Sequence, residues 1–214
     1  MGSYAVIGLG RFGSSVATTL VSLGHEVLGV DKSEKKVQQL ADVLTHAAVA
    51  DAKDEEVLKS FGVRNFDGVV VAIGQDIEAN ILTTVMLSDL GVRNIIAKAQ
   101  NELHGQVLQR VGATRVVYPE KDMGVKVANN ISSETILDYI ELSSDHSIVE
   151  FLAPSKFIGK TLGKLNLRAK YGISILAIKK GNEIIVAPGA EGLIEQDDLL
   201  VVVGENSTIN KCTR

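Results

Sequence analysis

Residues 4–20 read YAVIGLGRFGSSVATTL, and this stretch decides the fold. A short apolar run ending in Ile7 meets Gly8-x-Gly10-x-x-Gly13, and Val16, Leu20 and Leu23 then recur at helical spacing. A bare GxGxxG is a weak signal. Set between a strand and a helix, with Asp31 closing the next strand about 20 residues on, it becomes the strong form of a phosphate-binding turn. Gly8 allows the tight turn, Gly10 lets the backbone approach a phosphate, and Gly13 lets helix and sheet pack closely. The helix start presents unpaired N–H groups and the positive end of the helix dipole to the anion. Asp31 is expected to accept hydrogen bonds from an adenosine ribose. Phe12 in the turn, and Lys32 and Ser33 after the acid, complete this part of the candidate nucleotide site.

Outward from this unit the pattern repeats as strand, loop, amphipathic helix and glycine. Strands are expected at residues 4–8, 27–31, 47–50, 69–73, 94–98 and 115–118, most of them nearly continuous in Val, Ile and Ala. That composition marks strands buried on both faces of a parallel sheet. Helices are expected to stop at Gly24, Gly62, Gly91 and Gly112, because glycine accepts the left-handed conformation that closes a helix. The expectation is α/β: a doubly wound parallel Rossmann sheet of order 3-2-1-4-5-6 over residues 1–131. EKDMGVKVANNI and SSETILDYI read as two helical pieces, the second a crossover linker at 132–140. Residues 141–214 read as a small α+β lobe. In it, SIVEFLA is a strand, GKTLGKLNLRAKYG a short helix ended by Gly172, and ISILAI and EIIVA form a hairpin about KKGN before DLLVVVG. So small a lobe is expected to pair with a copy of itself.

Composition narrows the function. The 214 residues are 45% hydrophobic and 22% charged, with a net charge of −4, so no nucleic-acid footprint is present. The single cysteine, Cys212, can form no intrachain disulfide and points to a reducing compartment. No apolar run approaches a membrane span, and a strand and glycine turn follow MGS directly, unlike a secretion signal. A soluble, cytoplasmic chain is expected, with any membrane role supplied by a partner.

Ligands on such sheets bind beyond the carboxyl ends of the strands. Asp51 and Ala52 after the third strand, Gly74 after the fourth, and Lys98 at the end of the fifth therefore join the candidate site, with His104 in the following helix. Lys98 and His104 read equally as phosphate or ribose ligands and as a solvated lysine and a capping histidine. Arg11 occupies a free position of the glycine turn. It is either a surface arginine or a guanidinium that counts phosphates bidentately. Glu120 either compensates a helix dipole or holds a cation such as Mg²⁺ near the phosphates.

Reactive equipment is absent from the pattern. No Tyr is followed four residues later by Lys, no GxxxxGK[ST] loop exists, and His25, His46 and His146 are isolated. The reading is a binding protein and not an enzyme. The alternatives are an NAD-dependent oxidoreductase, which shares the turn and Asp31, and an NADH-sensing transcription regulator, for which no helix-turn-helix is visible.

VIGLGRFG, GHEVLGVD, NFDGVVVAIG, AKAQN and YPEKDMGVKVA, then NLRAKYG and the small lobe, resemble the RCK (KTN) family, most closely the gating subunits of Ktr potassium transporters. The resemblance covers essentially the whole chain. It implies a cytosolic regulator of a membrane potassium-conducting subunit, peripheral at the inner face of the membrane, working as a homodimer within an octameric ring. It implies ATP and ADP as ligands with opposite effects, and NAD(H) able to occupy related sites. It also implies that Arg11 reaches a neighbouring subunit's γ-phosphate, that Glu120 is linked to an activating cation, and that Asp31 holds the ribose. For the small lobe it implies a cyclic di-AMP site with Arg168, Ile173, Ile175 and Pro188 as candidates. Ile173 and Ile175 read equally as strand core, and Pro188 as a strand end.

Overall fold

The computed structural model describes residues 1–131 and 136–213. The chain begins β1 (Ser3–Ile7), α1 (Arg11–Ser22), β2 (Glu26–Asp31), α2 (Glu34–Leu40), β3 (His46–Val49) and α3 (Glu55–Ser60). It continues β4 (Gly68–Val71), α4 (Ile77–Asp89), β5 (Ile95–Lys98), α5 (Glu102–Arg110), β6 (Arg115–Val117) and α6 (Pro119–Ile131). The six strands form one sheet in the order β3-β2-β1-β4-β5-β6, as expected, and every pairing is parallel.

Burial explains the unbroken apolar strands. Successive side chains point to opposite faces, and helices cover both. Ala5 and Ile7 join Val30, Val69, Val71, Leu87 and Leu108 in one core layer. Val6, between them, joins Val27, Val70 and Ala17 in the other. All four glycines expected to end helices have positive φ. Because all crossovers bury the sheet this way, the carboxyl ends of β1, β2, β4 and β5 open along one edge, and the glycine turn follows β1 there.

The chain divides into two compact units, Met1–Lys121 and Asp122–Arg214, so the division falls inside α6. The boundary expected at 131 is the far end of that helix. The second unit contains β7 (Ile136–Glu141), β8 (His146–Leu152), α7 (Leu162–Leu165), α8 (Leu167–Tyr171), β9 (Ser174–Lys180), β10 (Glu183–Val186), β11 (Leu199–Glu205) and α9 (Asn206–Thr213). Its sheet has the order β10-β9-β11-β8-β7 and is antiparallel. The expected hairpin is β9–β10. Phe151, Ile173, Ile178, Ile194, Leu200 and Val202 form its core with Cys212, which is fully buried on α9.

Two expectations for this part are corrected, and one helix is added. Residues 136–140 are strand, not helix: β7 pairs antiparallel with β8, with Tyr139 opposite Val149. Leu137, Tyr139 and Ile140 fit either period locally, and the pairing decides; residues 132–135 of the same expected helix lie outside the described residues. The single helix ending at Gly172 is two, because Asn166 between them takes the left-handed conformation, φ 46° and ψ 47°, which asparagine tolerates better than most residues. The terminal helix α9 was not expected. Among the described residues no helix is long and apolar enough to cross a membrane.

Candidate functional site

Sterics fix the glycine turn. Gly8 sits at φ 97°, and a Cβ there would lie 2.9 Å from the Ala72 backbone. A Cβ on Gly13 would lie 1.8 Å from the Gly8 carbonyl oxygen, so α1 can approach β1 only with glycine at that position. Gly10 differs: a Cβ there would meet nothing within 4 Å. It is the N-cap of α1, no side chain caps that terminus, and its first turn holds no acid. By contrast Asp54, Asp76 and Asn101 cap α3, α4 and α5 with their own side chains. The start of α1 thus keeps its dipole and its N–H groups for an anion.

Asp31 locks this turn to the next crossover. Its carboxylate accepts the Leu9 N–H at 2.7 Å, the Ser33 N–H at 2.9 Å and the Lys36 ammonium at 3.0 Å. Burial pushes its pKa up. The Ser33, Lys36 and Leu9 bonds outweigh that, and the pKa lies below the ordinary carboxylate value. Ser33 is the N-cap of α2 without a side-chain cap bond, and Lys32 is exposed beside it. One carboxylate therefore shapes the loop through bonds to its backbone.

At the ends of β4 and β5 the predicted residues converge. The Lys98 ammonium pairs with the Glu120 carboxylate at 2.6 Å, and lies 5.9 Å from the centre of the Phe12 ring in the glycine turn. It also fills the space beside Gly74, where a Cβ would meet it at 3.2 Å. The bond from Lys98 holds Glu120 below the usual carboxylate range against the opposing effect of burial; its own N–H, the Lys98 charge and the Arg11 guanidinium add to the lowering. Arg11 is exposed at the first position of α1. Arg11, Phe12, Gly74, Lys98 and Glu120 are thus brought together. Asp51 and Ala52 serve their own loop and its neighbour: Asp51 accepts the Lys53 N–H at 3.0 Å, and the buried Ala52 offers its carbonyl to the Thr83 hydroxyl at 3.2 Å.

His104 is buried, with 5% of its surface exposed. Its Nδ1 accepts the Gln100 N–H at 3.3 Å, which leaves the proton on Nε2. That Nε2 has no partner, and burial lowers the pKa and keeps the ring neutral.

Two supporting residues escaped the sequence reading. Asn80 is fully buried on α4 and donates to the Ile73 carbonyl at 2.6 Å and the Lys98 carbonyl at 3.0 Å, tying the ends of β4 and β5 together. Gln100 donates to the Gly74 carbonyl. Gln100 stands inside the quoted AKAQN and could have been found there; an amide within a helix such as Asn80 gives no pattern signal.

Residues 4–119 match the TrkA-N domain family and residues 146–214 the TrkA-C domain family. The chain belongs to this family. It is 50% identical over 208 residues to the Ktr system potassium uptake proteins C and A of Bacillus subtilis (strain 168), covering 97% of this chain and 94% of each relative. The GsuK RCK domain has the same fold, with a TM-score of 0.70 at 21% identity; the match covers 99% of this chain and 47% of that one.

In this TrkA-N/TrkA-C protein the four small-lobe candidates are differently placed. Ile173 is 1% exposed and belongs to the second unit's core, where it packs against Gly204. Arg168 is exposed on α8, while Ile175 and Pro188 are half-buried. As for a cation, no group of three His, Cys, Asp or Glu side chains suited to a metal occurs among the described residues. Glu120 offers one carboxylate, and an ammonium already holds it.

Proposed function

We propose that this chain is a cytoplasmic, nucleotide-sensing regulatory subunit of a potassium uptake system. ATP and ADP at the glycine turn set the conformation of its assembly, and through it the activity of a membrane potassium-conducting subunit. The observation that carries this reading is the uncapped start of α1, with Arg11 at its first position and the Lys98 ammonium 5.9 Å from the Phe12 ring of the same turn. Membership of the family that includes the Ktr system potassium uptake proteins supports the potassium role.

The chemistry required of the site is recognition. ADP and ATP share adenosine and two phosphates, so contacts to those parts shift no equilibrium; only an interaction made differently in two states does. The shared parts fall to the α1 N-terminus and to Asp31. The γ-phosphate falls to Arg11, whose planar fork suits phosphate oxygens, on its own chain or on a second copy. A hydrogen bond to a charged group contributes about 1.5–3 kcal/mol. Two symmetry-related arginines are then on the scale of the roughly 5.5 kcal/mol that a swing from 1:99 to 99:1 requires.

A homodimer built into an octameric ring is the assembly this reading takes. NAD(H), with its diphosphate, fits the same turn. Mg²⁺ enters with the nucleotide's phosphates and not as a resident ion. Cyclic di-AMP inhibition through the second unit belongs to the same reading, with exposed Arg168 as its candidate contact.

The test is titration of the full chain with ADP, ATP and NADH, with and without Mg²⁺, following assembly size and potassium flux through the membrane subunit in vesicles. Arg11→Ala is expected to keep ADP affinity while losing the ATP-specific change. A variant that still separates ATP from ADP normally, or turnover of NADH by the wild type, would overturn the reading.

A further inference from the structure

The same four residues close two successive crossovers. Gly62-Val63-Arg64-Asn65 leads into β4 and Gly91-Val92-Arg93-Asn94 into β5, while Gly112-Ala113-Thr114-Arg115 follows a similar plan into β6. In each, the glycine has positive φ and the apolar residue after it is buried, which turns the chain from helix to strand. That turn requires no arginine, and all three arginines are exposed. β4, β5 and β6 are sheet neighbours, spaced about 4.8 Å apart, so the arginines share the amino edge of the sheet, away from the glycine turn. Arg64 reaches toward the next loop, where a Cβ on Gly91 would lie 3.7 Å from its Nε. Arg64, at Gly91, and Arg110, in the last turn of α5, each answer the negative end of a helix. Arg93 and Arg115, at the starts of strands, have no such duty. None of the four guanidinium groups has an ion-pair or hydrogen-bond partner among the described residues. A cavity of about 180 Å³ opens at the same edge, lined by Ser3, Phe61, Gly62, Asn65 and Phe66. Asn94 donates to the Asp67 carbonyl at 2.7 Å, a structural duty. Its counterpart Asn65 lines the cavity, and its side chain has no partner among the described residues.

We propose that the amino edge of the parallel sheet docks an acidic segment of a partner polypeptide, its carboxylates on Arg64, Arg93 and Arg115 and one apolar side chain in the cavity lined by Phe61 and Phe66. The cavity is smaller than the roughly 300 Å³ at which small-molecule pockets begin, and it suits a single side chain. Arginine's planar fork matches a carboxylate, and an apolar anchor in a pocket beside charged groups is how docking energy is usually concentrated. Acids on the same edge decide against a broad anionic surface. Asp67, whose carboxylate accepts the Ser3 N–H at 2.8 Å, and Asp89, at the end of α4, are both exposed there. A bilayer of anionic lipid would meet these acids together with the arginines, whereas a narrow segment of polypeptide can pair with the arginines and pass the acids by. The surface lies at the opposite ends of the strands from the nucleotide crevice, so the two occupants do not compete.

Fluorescence polarisation with the full chain tests this, using as probe a fluorescein-labelled peptide of glutamates around a central leucine. The wild type should bind it saturably, and more weakly as salt rises. The double variant Arg93→Glu, Arg115→Glu should bind about tenfold more weakly, on the scale of two exposed ion pairs replaced by repulsion, while keeping the wild-type melting temperature and nucleotide affinity. Lys211→Glu, an exposed reversal on α9, should bind the probe as the wild type does. Replacing the probe's leucine by serine should weaken binding about fivefold, less than full burial of a leucine is worth, and this arm tests the cavity without altering the protein. The proposal is overturned if the wild type does not bind the probe, if the two arginine reversals leave binding unchanged, or if the serine peptide binds equally well. Binding of phosphatidylserine vesicles through the same arginines, with none of the peptide, would make the edge a membrane contact. A changed assembly size in the double variant, read by sedimentation, would make it a contact between copies. Either result also overturns the proposal.

Discussion

The carboxylate of Asp31 accepts the backbone N–H of Leu9 at 2.7 Å, across 22 positions of sequence and inside the protein. The residue that ends β2 therefore shapes the turn that follows β1, and the phosphate cradle is a joint product of two crossovers.

Removing that acceptor should be costly even without ligand. Asp31→Ala leaves the Leu9 N–H buried without a partner, a penalty of about 1–3 kcal/mol, and should lower the melting temperature and weaken nucleotide binding together. The sign with pH follows from the lowered pKa. Such a group stabilises the fold fully above its unfolded value, near 3.8, and the contribution fades as pH falls through the lower folded value. Chemical denaturation of wild type and Asp31→Asn should thus differ most near neutrality and converge in strong acid. A constant difference at every pH would contradict the assignment.

Gly10 and Gly13 should separate binding from folding. Gly10→Ala adds a methyl where nothing lies within 4 Å, at an ordinary φ of −74°. Its stability should fall by about 1 kcal/mol or less, while nucleotide affinity drops steeply because the methyl stands where a phosphate must approach. Gly13→Ala places a Cβ 1.8 Å from a carbonyl oxygen and should fail to fold properly. Circular dichroism melts beside binding titrations distinguish the two. Equal loss of binding and stability in Gly10→Ala would count against a phosphate at that point.

In the second unit, Ile173 and Arg168 should answer different questions. Ile173→Ala empties a fully buried core position and should cost about 2–5 kcal/mol of stability. Arg168→Ala, at an exposed site, should leave the melt unchanged and weaken cyclic di-AMP binding. A stable Ile173→Ala that had lost only ligand binding would show that its placement in the core has been misread.

The parallel sheet was legible because strands covered on both faces have no polar residue to interrupt them, as Ala5, Val6 and Ile7 show by facing alternate core layers. Helix ends were legible because glycine at positive φ is a backbone requirement written as a letter. The second unit was less so. Its β7 is fixed by pairing with β8, and the break at Asn166 depends on one left-handed residue. At the site, glycines and Asp31 could be named in advance, but the N–H of Leu9 is not a letter, so the bond that shapes the turn was invisible. Lys98 and Glu120 were picked singly; only the fold brings the end of β5 to the start of α6 and makes them a pair.

The burial of Cys212 has a practical consequence. It is the chain's sole thiol, wholly enclosed by the second unit's core, and burial raises its pKa. An alkylating reagent can reach it only when α9 peels away or that core opens, so labelling kinetics provide an intrinsic clock for the second unit's breathing. Because the residues proposed for ATP and ADP all belong to the other unit, slowing of that clock by those ligands would register communication between the units without any engineered probe.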